Sequence, residues 1–220
     1  MTTDVPAPAT RPASEVPLTV LDIETDTLGV NGLDPRESRV VSAALAFSDR
    51  EALVFEDADE RRLLEAIGSV VRARSGLLVT WNGAGFDLPF LAVRSELLGL
   101  DLGLETVTDP SIPVKYAAPE GLGGPVRARW GSTAHVDISF LYKDFAADRG
   151  VSWSLKPVAR ALGLSPVEVD RERIHDLSAE QLRDYVLSDV EVTLALAARL
   201  RTQELLRAVL PFDLPEGLAG

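Results

Sequence analysis

The sequence predicts an α/β domain built on a mixed sheet, and two patterns and one bulk property point to it. Short apolar segments of strand length come first, and from residue 59 they alternate with stretches carrying the three-to-four-residue apolar spacing of helices. The chain has 220 residues, 46% hydrophobic and 25% charged, the balance of a compact globular protein. That length supports one domain with a sizeable core, or two small ones.

Residues 1–17 hold four of the 14 prolines among Ala and Thr, with neither a basic start nor an apolar run. They predict a disordered tail and not a signal peptide. Leu18 to Glu24 reads as a strand, Ser38 to Ser48 as a second one rich in Val and Ala, and Glu51 to Glu56 as its hairpin partner. Asp59 to Arg74 predicts an amphipathic helix with Leu63, Leu64, Ile67, Val70 and Val71 on one side. Gly76 to Trp81, an apolar run between turn residues, suits a buried strand, and Leu88 to Leu100 is helical with Gly99 at its end.

The stretch from Asp101 to Ser132 is rich in Pro and Gly. Within it, Val114-Lys115-Tyr116 and Val126-Arg127-Ala128-Arg129-Trp130 flank the turn-rich Gly121 to Pro125 and predict a β-hairpin arm around residues 113–131. Thr133 to Asp137 is a further strand. Helical patterns follow at Ile138 to Ala147, Ser154 to Gly163 and Ser178 to Leu210. The expected domain covers residues 18–210, with a C-terminal tail over 211–220.

Charge and residue usage narrow the chemistry. A formal net charge of −12 argues against a sequence-independent nucleic-acid coat or an anionic-membrane binder, both of which need a basic surface. The absence of Cys excludes disulfides, thiolate metal sites and Cys nucleophiles. With only His135 and His175, metal chemistry would rest on carboxylates, which favour hard cations such as Mg²⁺, Mn²⁺ or Ca²⁺. There is no run of about 18 apolar residues, and with no targeting signal the expected compartment is the cytoplasm.

Most of the 34 acidic residues belong on a solvated surface, so the informative ones sit where burial is expected. By the two-residue period, Leu18, Val20, Asp22 and Glu24 share one face of the first strand. Two carboxylates side by side there call for a cation, unless the strand ends near residue 22 and both are solvated. In the last helix, Ser178 and Gln181 form a capping-box pattern that sets the register. Tyr185 and Asp189 then fall within the apolar stripe of Leu182, Val186, Thr193, Leu196, Ala197 and Leu200, whereas Arg183, Asp184 and Glu191 point away. A helix edge that lets Asp189 reach water or an Arg is the alternative. Between them lies Asn82-Gly83-Ala84-Gly85-Phe86-Asp87-Leu88-Pro89, where helix capping explains Asp87 and an Asx turn explains Asn82 without any further role. Asp137 reads more simply as a helix cap than as support for a site.

In order and spacing, Asp22-x-Glu24, Asn82-x₃-Phe86-Asp87 and Tyr185-x₃-Asp189 resemble the three exonuclease motifs of the DEDD 3′–5′ exonucleases, in the ribonuclease H-like superfamily. Phe86-Asp87-Leu88-Pro89-Phe90-Leu91, His135-Val136-Asp137-Ile138, Ser154-Leu155-Lys156-Pro157-Val158-Ala159 and Leu162-Gly163 are similar to the proofreading domains of family B DNA polymerases and their stand-alone relatives. The resemblance covers about residues 18–200. It implies a ribonuclease H-like fold, a five-stranded mixed sheet flanked by helices with the second strand antiparallel to its neighbours. It also implies two divalent cations, Mg²⁺ or Mn²⁺, on Asp22, Glu24, Asp87 and Asp189. Tyr185 matches the tyrosine that orients the attacking water, and Asp184 stands where the His-type branch places its histidine, so both histidines are expected to be structural or on the surface.

The implied activity is 3′–5′ hydrolysis of phosphodiester bonds at single-stranded or frayed DNA ends, with no membrane partner. RNA trimming stays open, since nothing in the sequence reads a 2′-hydroxyl, as does a non-catalytic nucleic-acid-binding module on the same fold. Phe86 and Asn82 are candidates to contact the terminal nucleotide. In the expected arm, Lys115, Arg127 and Arg129 interleave with Tyr116 and Trp130, the mixture that holds a single strand's phosphates and bases; a lid-like loop whose aromatics pack on the domain is the alternative.

Overall fold

A computed structural model of the protein describes residues 16–115, 122–209 and 212. The two tails expected from the sequence therefore lie outside the described residues, apart from Val16, Pro17 and Phe212, and so does Tyr116. Among the described residues, seven strands form the sheet: Leu18–Thr25 (β1), Val40–Phe47 (β2), Leu53–Phe55 (β3), Ser75–Thr80 (β4), Leu104–Thr108 (β5), Val126–Trp130 (β6) and Ser132–Asp137 (β7). Their order is β3-β2-β1-β4-β7-β6-β5. β1, β4 and β7 run parallel, while β2 is antiparallel to both β1 and β3. The α/β class and the reversed second strand agree with the sequence.

The sheet has two strands more than the five expected, and both come from the stretch read as irregular. β6 pairs with β5 in the register Leu104↔Trp130 to Thr108↔Val126, and joins β7 through a tight turn at Gly131. The strand partner of 126–130 is thus 104–108, and the pair extends the sheet instead of projecting as an arm. β5 has a weak signature because it is an edge strand with Glu105 and Val107 exposed, so pairing defines it more than its own pattern does.

Helices cover both faces: Glu60–Arg72 (α1), Asp87–Leu98 (α2), Lys143–Asp148 (α3), Leu155–Ala161 (α4), Ala179–Ala197 (α5) and Thr202–Arg207 (α6). The period of two splits the core accordingly. Leu18, Val20, Ala44, Val79 and Val136 pack with Val186, Val190 and Leu196 on the α5 face. Leu21, Ile23, Leu45 and Leu78 pack with Leu63, Ile67, Leu88 and Leu91 on the α1–α2 face.

Local signals set several boundaries. Asp59 caps α1 through Arg61 N–H, and the Ser178–Gln181 capping box opens α5. α2 ends at Gly99 with φ +61°, its last carbonyls taken by the N–H groups of Gly99 and Leu100. The single helix expected over 178–210 is broken after Ala197, where the Tyr142 hydroxyl donates to Leu196 O at 2.7 Å. That bond satisfies a terminal carbonyl from another element, so the chain can turn there before α6. Among the described residues no helix is long and apolar enough to cross a membrane.

Candidate active site

The C-terminal ends of the parallel strands β1, β4 and β7 lie at one edge of the sheet, and the unusual acids converge there. Asp22 and Glu24 project from the β1 face that packs on α5. Opposite them on β2 stand only Ala44 and Ser42, small enough to let the helix approach. A bulge between Glu24 and Thr25 shifts the pairing from Ser42 to Val40 and bends the chain away beyond the acids. From α5, Tyr185 and Asp189 lie one turn apart and both are buried, whereas Arg183, Asp184 and Glu191 are exposed.

Carboxylate oxygens of Asp22, Glu24 and Asp189 all lie within 4.8 Å of one another. Like charges so placed repel by about 4 kcal/mol per pair at 4 Å and an effective dielectric of about 20. An oxygen-only, largely buried donor set of this kind fits a hard divalent cation.

The structure adds a residue to which the sequence pattern assigns no role. Lys156, the second residue of α4, is buried with its Nζ 3.3 Å from Asp189 Oδ1 and 3.8 Å from the centre of the Tyr185 ring. It also donates to Val167 O at 2.6 Å. One signal in the sequence could have singled it out. Only three of the 22 basic residues are lysines, so a lysine among Leu155, Val158 and Ala159 marks a place where the compact ammonium is used instead of the usual arginine.

Asp87 arrives from the other side of β1. It is the first residue of α2, whose N-cap position, Phe86, makes no side-chain capping bond. Asp87 Oδ1 accepts the Ile23 N–H at 3.2 Å, just past the last β1–β4 register pair, Val20 with Val79. Asp87 is buried but is not one of the three clustered acids. Before it, Asn82 takes the left-handed conformation with φ +67°, and its carbonyl accepts from the Gly85 and Phe86 N–H groups. Phe86 is half-buried, with its ring 5.4 Å from that of Phe90.

Asp137 ends β7 fully buried and caps the following 3₁₀ turn, 138–142, as expected, but it also holds the Asn82–Ala84 loop. Burial pushes its carboxyl upward, against the hydrogen bonds that favour the ionised form. Beside it, His135 bonds Thr80 Oγ1 through Nε2 at 2.8 Å, and burial lowers its pKa to about 3, so the imidazole is neutral. His175, nearer the surface, pairs Nδ1 with Thr27 Oγ1. His135 is thus a buried residue and His175 a surface one.

The residues of the expected arm separate. Lys115 donates to Ser152 and Ser154 at the start of α4, and Val114 lies over Gly85, so this segment runs along the site. Because β6 is antiparallel to β7, its first residue is at the site edge, where Val126 N–H bonds Ala84 O, and Trp130 is about 13 Å away at the far end. Arg127, near the site, pairs with Asp109. Arg129 lies across from Glu105 and donates to both its oxygens. Trp130 is a core residue whose Nε1 donates to Leu102 O, which corrects its expected role as a stacking surface.

Comparison with known proteins agrees with this architecture. The profile of the RNase_H superfamily matches residues 19–191. The chain is 31% identical over 146 residues to the catalytic polypeptide of DNA polymerase epsilon from Eremothecium gossypii, which is 64% of this chain and 6% of that one. It is 32% identical over 162 residues to DNA polymerase 1 of Sulfolobus acidocaldarius, 68% of this chain and 16% of the relative. Among solved structures, the family B DNA polymerase of Pyrobaculum calidifontis superposes with a TM-score of 0.64 at 26% identity, over 85% of this chain and 25% of that one. The chain therefore corresponds to a small part of each of these polymerases. With the family profile spanning most of its length and the acids gathered at the parallel strand ends, the protein belongs to the RNase_H superfamily.

Proposed function

We propose that the protein is a divalent-metal-dependent 3′–5′ exonuclease acting on single-stranded or frayed DNA ends. The observation that carries this reading is the convergence of Asp22, Glu24 and Asp189 within 4.8 Å, beside Tyr185 and Lys156. Asp22, Glu24 and Asp189 would hold cations there, with Asp87 contributing from the α2 side, and Mg²⁺ or Mn²⁺ is the fitting choice. Two such ions, when bound, polarise the scissile phosphate, lower the pKa of the attacking water and stabilise the leaving 3′-oxygen.

The chain's own groups do the rest. Tyr185 holds and orients the attacking water through its hydroxyl. Lys156 offsets part of the acids' charge and braces the Tyr185 ring, so that the cluster stays assembled before a phosphate arrives. Phe86, at the half-exposed rim, walls the terminal base, and Asn82, Lys115 and Arg127 line the path of the strand. The polymerase relatives favour DNA, and the expected compartment is the cytoplasm.

The test is release of nucleotides from 3′-labelled DNA and RNA oligonucleotides with Mg²⁺ or Mn²⁺. DNA is expected to be degraded from its 3′ end, and Asp22→Ala is expected to be inactive. No release from either polymer with either metal overturns the reading, and release from RNA alone replaces it with RNA trimming. With net charge −12 and no long basic track, affinity for the strand is expected to be weak and to fall only shallowly with salt.

A further inference from the structure

Asp137 has more bonding than a helix cap requires. One oxygen would cap the five-residue turn at 138–142, yet Oδ1 accepts from Ser139 N–H at 3.1 Å, Ser139 Oγ at 2.6 Å and Asn82 N–H at 3.0 Å. Oδ2 accepts from Ala84 N–H at 3.1 Å. Asn82 and Ala84 are 55 and 53 residues away in sequence, on the connection from β4 to α2. A fully buried carboxylate is costly unless its lone pairs are taken, and here backbone dipoles from that connection take them.

The connection is shaped to be held this way. Asn82 adopts φ +67°, which few side chains tolerate, and Asn is among those that do. At Gly83 a Cβ would sit 2.4 Å from Thr80 Oγ1, so the loop lies directly on the end of β4. Its carbonyls then seed α2, Asn82 O taking Gly85 and Phe86 N–H and Gly83 O taking Leu88 N–H. Asp87 follows at once and reaches Ile23 N–H on β1.

We propose that Asp137 is a positioning residue for the active site. From the interior it sets the left-handed turn at Asn82, and through that turn it aims Asp87 at β1. This role rests on the exonuclease reading for its kinetic consequence, but not for its structural one.

Two variants of the full chain separate positioning from capping. Asp137→Ser keeps a good cap for 138–142 but is too short to reach both loop amides. Asp137→Asn keeps one acceptor and turns an NH₂ towards Ala84 N–H. In both, amide hydrogen exchange at residues 82–88 and at Ile23 is expected to accelerate, with β2 and α5 unchanged. Calorimetric Mn²⁺ affinity should fall about 10–100-fold, the range seen when a group supporting a metal ligand is lost. With a labelled DNA oligonucleotide, kcat should fall by a similar factor while KM changes less than about threefold.

A lower melting temperature with wild-type exchange at 82–88, wild-type Mn²⁺ affinity and wild-type kcat overturns the proposal and leaves Asp137 a cap. In the wild type alone, the Asn82 and Ala84 amides should exchange slowly despite lying in a loop, and exchange at open-loop rates also overturns it. If the wild type releases no nucleotide, the exonuclease reading fails, while the exchange measurements still decide what Asp137 holds.

Discussion

Asp189 and Asp137 are buried at the same edge of the sheet, yet the chain treats their charges in opposite ways. Asp189 lies beside two further carboxylates, Asp22 and Glu24, and beside the ammonium of Lys156. Asp137 is met by backbone N–H groups and a hydroxyl from Asn82, Ala84 and Ser139. Its neighbour His135 is uncharged. The β4–β7 half of the site answers a buried charge with fixed dipoles and is complete as it stands. The β1–α5 half gathers like charges that Lys156 offsets in part, an arrangement that favours a further cation. Such crowding is unfavourable for folding, and among the described residues the one such acidic group lies in the part that would do chemistry.

Exchanging the charge of the crowded half is the strongest way to break this contrast. Asp189→Asn should lower nucleotide release at least about a thousandfold, about 4 kcal/mol of transition-state stabilisation. Its urea midpoint should fall less than that of Lys156→Met, because losing the ion pair with Lys156 is offset by relief of the repulsion from Asp22 and Glu24. A loss as large as in Lys156→Met would mean that Asp189 serves the fold as Asp137 does.

Lys156→Met tests the same half from the cationic side. Removing one partner of a buried pair costs about 3 kcal/mol, so the metal-free variant should unfold at lower urea. Millimolar Mg²⁺ or Mn²⁺ should stabilise the variant more than the wild type, since the ion then supplies the missing positive charge. Equal stabilisation of both would separate Lys156 from the cation site.

The complete half has its own signature in acid. The native His135 resists protonation down to about pH 3, while the unfolded imidazole takes up a proton near 6.5. The unfolded state therefore binds more protons as pH falls. This stability is fully present above 6.5 and is drained as pH drops toward 3. At pH 5 the loss amounts to about 2 kcal/mol. Urea unfolding at pH 8 and pH 5 should show that difference in the wild type and lose it in His135→Gln, which retains a partner for Thr80.

The smallest effect lies at the far end of β6. Arg129→Ala removes an exposed cross-strand pair worth at most about 1 kcal/mol and should leave exonuclease activity and strand affinity unchanged. Arg127→Ala, at the site end of the same strand, should weaken single-strand affinity. Equal losses in both would restore a binding arm along the whole strand.

Much of this contrast was legible in the residues alone, because period rules act locally. Two-residue alternation put Asp22 and Glu24 on one face of β1, and a helical register fixed by Ser178 and Gln181 put Tyr185 and Asp189 inside an apolar stripe. The α/β class, the reversed second strand and most boundaries followed from short-range patterns and from the motifs they carry. Local pattern left Asp87 open, since an Asp at a helix start looks the same whether or not it also bonds a strand 64 residues away, as Asp87 does at Ile23 N–H.

What the tertiary structure decided are the pairings between distant segments. That 126–130 pairs with 104–108 depends on which segment reaches the edge of β6 away from β7, and no local pattern carries that. The burial of Trp130, the arrival of Lys156 beside Asp189 and the double duty of Asp137 are likewise set by which elements the sheet brings together. Periodicity tells a residue which way it faces; only the assembled sheet supplies what it faces, and there the energy of a buried charge is settled.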